Sequence, residues 1–184
     1  AMAQERALPG EDPVLARQST TYYTETSGIG RLLDVLNPRR EPLRVGVIGL
    51  GNIGCLVADA AIKLGMNVLG FDPEITVDAA WSLPSQVKKA ASVAEVLKQA
   101  QFTTLHVPLV DATRDLVNAK NLALLHPGGV LLNFSREGVA NEAAVLASLE
   151  AGRLGCYVCD FPSAAINGHP RVVALPHLGA STRE

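Results

Sequence analysis

From residue 44 onward the apolar residues alternate between two spacings. Residues 44–50 (Arg-Val-Gly-Val-Ile-Gly-Leu) form a short, β-branched apolar run that enters glycines at once, which predicts a buried strand leading into a tight turn. Residues 53–63 carry Ala and Leu at helical spacing and stop at Gly65, and residues 67–71 predict a second strand closed by Asp72-Pro73. A short strand is expected at 87–90. Ser92 with Glu95 three positions on is a capping-box start for a helix running to Ala100. Residues 102–107 predict the next strand, ended by Pro108, and residues 119–125 a helix. Pro127-Gly128-Gly129 then turns into a strand at 130–133. Asn141 caps a helix over 142–151 that Gly152 stops, and strands follow at 156–160 and 172–175. Strands alternating with helices imply right-handed crossovers and an α/β fold built on a doubly wound parallel sheet.

The composition changes near residue 43. Upstream lie Pro9, Pro13, Pro38 and Pro42, a polar β-prone run at 19–24, a turn at Ser27-Gly28, and a short helical stretch at 31–36 stopped by Asn37-Pro38. This part has too few apolar residues for a core of its own, so residues 1–43 read as an extension and 44–184 as the folded domain. Over all 184 residues, 48% hydrophobic and 18% charged positions supply enough apolar surface for one core. With 16 Lys and Arg against 18 Asp and Glu, the net charge of −2 gives no electrostatic reason to expect nucleic acid or an anionic membrane as partner. No apolar run reaches the roughly 18 residues of a membrane span, and residues 1–10 do not read as a secretory signal. Three cysteines make no disulfide framework, so the expectation is a soluble, cytoplasmic protein.

Gly49-Leu50-Gly51-Asn52-Ile53-Gly54 is a G-x-G-x-x-G turn placed between a predicted strand and a predicted helix. Gly49 permits the tight turn, Gly51 lets backbone amides approach a pyrophosphate, and Gly54 lets the helix pack close to the strand, as in a Rossmann three-layer αβα domain. The positive end of the helix then faces the anion. Asp72 closes the second strand, where a carboxylate accepts two hydrogen bonds from a ribose diol and repels a 2′-phosphate, favouring NAD over NADP. A methyltransferase-like sheet holding S-adenosylmethionine uses a similar turn and acid, but it usually carries glycine where this chain has Ile53. The third glycine at Gly54 favours a dinucleotide.

Ligands of open α/β sheets bind beyond the carboxyl ends of the strands. Those ends are Asp72, Val107-Pro108, Asn133 to Arg136, Asp160 to Pro162, and His177. Arg136 there either clamps a carboxylate through two parallel hydrogen bonds or pairs at the surface with Glu137. His177 either shuttles a hydroxyl proton near neutral pH or serves as a structural loop residue. Asp160 either orients a nicotinamide or caps the following turn. His106, His126 and His169 read as structural. Cys156 and Cys159, three apart in a strand, face opposite sides and make neither a redox pair nor a metal site, and no metal site is expected elsewhere. Trp81 falls in a connection and is expected to pack against the sheet edge.

Together, Val47 to Gly54, Leu105-His106-Val107-Pro108-Leu109, Leu132 to Glu142, Asp160-Phe161-Pro162 and Pro176 to Thr182 resemble the D-isomer-specific 2-hydroxyacid dehydrogenases, with the branch that acts on 3-phosphoglycerate nearest. The resemblance covers about residues 44–184. It implies NAD held at Asn52-Ile53, Asp72, Phe134, Ser135 and Arg136, Asp160, and His177 with Gly179 and Ala180. It further implies Arg136 as the clamp on the substrate carboxylate, His177 as acid and base, and a homodimer. The implied reaction passes hydride from a small 2-hydroxy acid to NAD, on the way to serine. Three features depart from the family. Ser163-Ala164-Ala165 stands where the family places an acid bonded to the histidine, so His177 is expected to lack its carboxylate partner. Only 43 residues precede the sheet, where the family has a substrate domain, and the chain stops after Ser181-Thr182-Arg183-Glu184, where the family continues with a helix. The expectation is an NAD-binding fragment with little turnover alone. Residues 19–51 bear a weaker resemblance to the opening of a spermidine-synthase-like domain, which points to a mosaic. A non-catalytic NAD-binding module and an S-adenosyl-ligand transferase fold are the alternatives.

Overall fold

The computed structural model describes residues 42–177. Expected elements at 19–24 and 31–36, and Gly179 and Ala180 of the expected site, lie outside the described residues. Twelve elements follow one another within them: β1 (Arg44–Ile48), α1 (Asn52–Lys63), β2 (Asn67–Phe71), α2 (Val77–Ser82), β3 (Lys88–Lys89), α3 (Val93–Gln99), β4 (Phe102–Leu105), α4 (Ala119–Leu122), β5 (Gly129–Asn133), α5 (Glu142–Glu150), β6 (Leu154–Cys159) and β7 (Val172–Ala174). All seven strands are parallel, in the order β3-β2-β1-β4-β5-β6-β7. The order reverses between β1 and β4. That is the switch point where an open α/β sheet leaves a crevice beyond its carboxyl ends.

Each strand of the centre is buried on both faces, which is why the sequence there reads as unbroken apolar runs. In β1 the side chains alternate: Val45 and Val47 join Ala58 and Ala61 of α1 on one side, while Ile48 joins Val96 and Leu97 of α3 on the other. The larger cluster continues through Leu122, Leu131, Val145, Leu149 and Leu154. Each such fully buried aliphatic side chain stabilises the fold by about 1.5–3 kcal/mol. Helix α1 approaches the sheet through a stripe of small buried residues, Gly54, Ala58 and Ala61. At Gly54 no side chain fits, because a Cβ there would overlap the carbonyl of Gly49.

The boundaries follow local chemistry. Ser92 accepts from the Glu95 amide at 3.1 Å and caps α3 where the sequence predicts a start, but the Glu95 carboxylate accepts from the Ala91 amide at 2.7 Å, one residue before the cap, so the expected reciprocal capping box is only half made. Asn118 and Asn121 make a full capping box that starts α4. That helix ends at Leu122 rather than residue 125, since the chain must turn through Pro127 into β5. The two-turn α2, capped by Thr76, is an element the apolar pattern did not predict. None of its residues is buried, so it carries no apolar stripe to signal it. Trp81 lies on α2 and is 86% exposed, which corrects the expectation that it packs against the sheet edge. Cys159 joins the larger core while Cys156 is half-buried, and burial pushes both thiols upward.

His106 follows β4 directly. Its amide donates to the Ile48 carbonyl at 2.8 Å, and its Nε2 sits 2.9 Å from the Thr104 hydroxyl. Burial holds this imidazole below its ordinary value of 6.5. The folded protein therefore binds fewer protons than the unfolded chain as the pH falls through that range, so stability drops on acidification. Denaturant titrations between about pH 7 and pH 5 are expected to show this slope, and His106→Gln is expected to make it shallower. A separate pair of variants tests the helix contact. Gly54→Ala should lower the unfolding free energy by about 1–3 kcal/mol through overpacking, whereas Gly51→Ala, whose Cβ meets nothing within 4 Å, should change it little.

Candidate active site

The glycine turn is held by three backbone constraints. Gly49 takes φ +89°, a left-handed conformation that glycine adopts without strain, and its amide donates to the Phe71 carbonyl at 2.9 Å. A side chain at Gly49 would run into the carbonyl of His106 and the side chain of Val107, so the turn sits directly against the end of β4. The next amide, Leu50, donates at 2.8 Å to Oδ2 of Asp72, whose Oδ1 accepts from the Glu74 amide at 2.9 Å. Asp72 therefore braces the turn as well as closing β2, a role its position alone did not reveal. A carboxylate has about four lone-pair sites, so both oxygens retain capacity for further donors such as a ribose diol.

The beginning of α1 has the chemistry a diphosphate needs. Gly51 is the N-cap and supplies no side-chain cap, leaving the first amides of a 12-residue helix without a side-chain acceptor. The space at the Gly51 Cβ position is open. Asn52 and Ile53 are exposed on the same turn. A bare backbone, uncapped donors and the positive helix end together fit a pyrophosphate, with Asp72 across the turn from them.

The other wall comes from the loop after β5. Asn133 is buried, and its carboxamide organises this loop: Oδ1 accepts from the Ser135 hydroxyl at 2.8 Å and the Ser135 amide at 3.2 Å. Its Nδ2 donates to the Arg136 carbonyl at 3.1 Å and to the Tyr157 hydroxyl at 3.2 Å. Burial pushes the Tyr157 phenol well above its ordinary value, so it stays protonated. Phe134 and Arg136 are exposed on a loop whose base is fixed. The Arg136 guanidinium donates to the Ser135 carbonyl at 2.7 Å and pairs with no carboxylate among the described residues, Glu137 included. Pro108 follows β4 and its carbonyl accepts from the Thr113 hydroxyl.

Beyond β6 and β7 the structure corrects an expectation. His177 does have a carboxylate partner: its Nδ1 lies 2.7 Å from Oδ2 of Asp160. The parallel ladder pairs Cys159 with Ala174, so the residues just past the two strand ends fall side by side. The Asp160 side chain is only 12% exposed and its Oδ1 is buried without a partner among the described residues, so the site holds one unfilled acceptor. A carboxamide N–H is a donor that suits it. Phe161 packs against the His177 ring with centroids 4.3 Å apart. No hydrogen bond or ion pair joins Arg136 to His177 among the described residues.

A separate cleft of about 620 Å³ opens between α1 and α2, lined by Cys55, Asp59, Thr76 and Asp78. It shares only Asn52 with the residues predicted to hold a cofactor. The donors and acceptors described above lie instead at the switch point. Among the described residues no helix is long and apolar enough to cross a membrane.

Comparison with known proteins identifies the family. The profile of the NAD binding domain of D-isomer specific 2-hydroxyacid dehydrogenases matches residues 20–179, a range that begins upstream of β1. The D-3-phosphoglycerate dehydrogenase of Methanocaldococcus jannaschii is 36% identical over 146 residues, which is 76% of this chain and 28% of that protein. The (S)-sulfolactate dehydrogenase of Chromohalobacter salexigens is 34% identical over 148 residues, 76% of this chain and 47% of that protein. A crystal structure of phosphoglycerate oxidoreductase from Vibrio cholerae superposes with a TM-score of 0.67 at 28% identity, covering 76% of this chain and 46% of that one. The chain thus spans between about a quarter and half the length of these relatives. The chain therefore belongs to the D-isomer specific 2-hydroxyacid dehydrogenase family, as its NAD-binding domain.

Proposed function

We propose that this domain forms the cofactor half of a dehydrogenase that interconverts a D-2-hydroxy acid and the 2-keto acid, with Arg136 and His177 as its catalytic residues. The observation that carries the reading is the placement of both at strand carboxyl ends, on the same rim of the sheet as the uncapped glycine turn and Asp72. NAD, when bound, supplies the hydride acceptor. The turn amides and Asp72 bind its diphosphate and adenosine ribose, and Gly51, Asn52, Ile53, Val107, Pro108, Phe134 and Ser135 line its path along the rim. Arg136 offers a planar fork of donors to the substrate carboxylate, fixing the 2-carbon. His177 takes the hydroxyl proton as the carbon–hydrogen bond is broken and returns it in the reverse direction. The names of the M. jannaschii and C. salexigens relatives point to a three-carbon 2-hydroxy acid with an anionic group on its third carbon. 3-Phosphoglycerate is the substrate we favour.

Calorimetric titration of the chain with NADH is expected to show binding, with NADPH weaker. Asp72→Ala removes a charge-assisted acceptor worth about 1.5–3 kcal/mol, so NADH affinity should fall about 10- to 100-fold. Equal affinity in the variant would overturn the cofactor assignment. The 184-residue chain, which spans 28% of the M. jannaschii relative, is expected to oxidise 3-phosphoglycerate negligibly by itself; rapid turnover would show these residues to be sufficient.

A further inference from the structure

We propose that Asp160 is the positioning carboxylate of His177, taking the place of the acid that Ser163-Ala164-Ala165 lacks. The inference rests on the proton-transfer role of His177 proposed above. No Asp or Glu occurs anywhere between residues 161 and 176, so the segment linking β6 to His177 offers no other partner. The 2.7 Å contact between Asp160 Oδ2 and His177 Nδ1 is set by backbone rather than by long side chains. The β6–β7 ladder pairs Cys159 with Ala174, and the Leu175 amide extends it by donating to the Cys159 carbonyl at 2.9 Å. Asp160 and His177 leave that ladder from adjacent strand ends.

An ionised carboxylate only accepts hydrogen bonds, so the ring nitrogen facing it must carry the proton. The neutral imidazole is then the Nδ1–H tautomer, and Nε2 is left with its lone pair. Nothing else among the described residues hydrogen-bonds the ring. Asp160 is 12% exposed and His177 45% exposed, which anchors one edge of the imidazole in the protein and leaves the remainder accessible. Phe161 packs on the ring face at 4.3 Å and restricts its rotation. The result is a histidine whose proton-accepting nitrogen is chosen by Asp160. Asp160 itself need not touch the substrate.

The test is long-range proton–nitrogen NMR on the 15N-labelled 184-residue chain, with the His177 signals assigned by their loss in His177→Gln. In the wild-type protein the neutral His177 ring is expected to show a protonated Nδ1 and an unprotonated Nε2. In Asp160→Ala the Nε2–H tautomer, which unrestrained imidazoles prefer, should become the major form. An Nε2–H ring in the wild-type protein would overturn the proposal, as would an unchanged tautomer in a folded Asp160→Ala. Should that variant not fold, the wild-type spectrum alone decides. NADH binding, measured on the same samples, separates the two readings. A wild-type chain with the Nδ1–H ring that binds no NADH would refute the cofactor function and leave the Asp160–His177 pairing standing, whereas NADH binding with the opposite tautomer would refute only the pairing.

Discussion

The approach of α1 to the end of β1 is the constraint on which the rest of the site depends. At Gly54 helix backbone and turn backbone meet with no room for a Cβ, the Gly49 carbonyl being the obstacle. That contact fixes where the helix axis begins and therefore where its uncapped amides and positive end point. Asp72 then secures the same turn from β2 through the Leu50 amide, and the Gly49 amide is tied to the Phe71 carbonyl. The candidate anion site is thus made of backbone donors held from two neighbouring strands. Because those donors are fixed before any ligand arrives, little ordering cost falls on binding.

The second half of the rim depends on a different interaction, the buried carboxamide of Asn133. It is satisfied on both sides, by Ser135 through its oxygen and by the Arg136 carbonyl and Tyr157 hydroxyl through its nitrogen. A buried polar network of this kind is stabilising only when every member has a partner. Here the partners span β5, the loop after it and β6, so the network fixes where the loop leaves the sheet while Phe134 and Arg136 stay exposed. The rigidity belongs to the base of the loop and the freedom to its exposed side chains.

Much of this was legible in the sequence, and the limits are physical. The order of strands and helices followed from the period of apolar positions because the central strands are buried on both faces. The glycine turn was legible from its spacing between an apolar run and a helical period, although only Gly54 answers a neighbour close in sequence: Gly49 meets His106 and Val107 at the end of β4, and the Cβ space at Gly51 is open. Helix α2 escaped because an element with no buried residue leaves no apolar period. Trp81 was misplaced for the same reason: its size suggests burial, but nothing in the chain says that its helix stands away from the sheet. The bracing role of Asp72, the satisfaction of Asn133 by Tyr157 and the pairing of Asp160 with His177 all join residues at least 17 positions apart. They depend on which strands are neighbours and in what register, and a single sequence does not display register.

Reading His177 as partnerless shows how such an inference goes astray. At the offset where the family places its acid, the chain carries Ser163-Ala164-Ala165 and no carboxylate. What an imidazole needs, however, is an acceptor in space opposite Nδ1, and a parallel ladder can supply one from the neighbouring strand end. Asp160 has one oxygen on His177 and the other buried without a partner among the described residues. A carboxylate so poor in donors depends on the one donor it has, just as the histidine depends on it for orientation. The dependence runs both ways, which is why loss of an acid from one position of this fold need not leave the histidine unoriented, provided the adjacent strand ends in an aspartate.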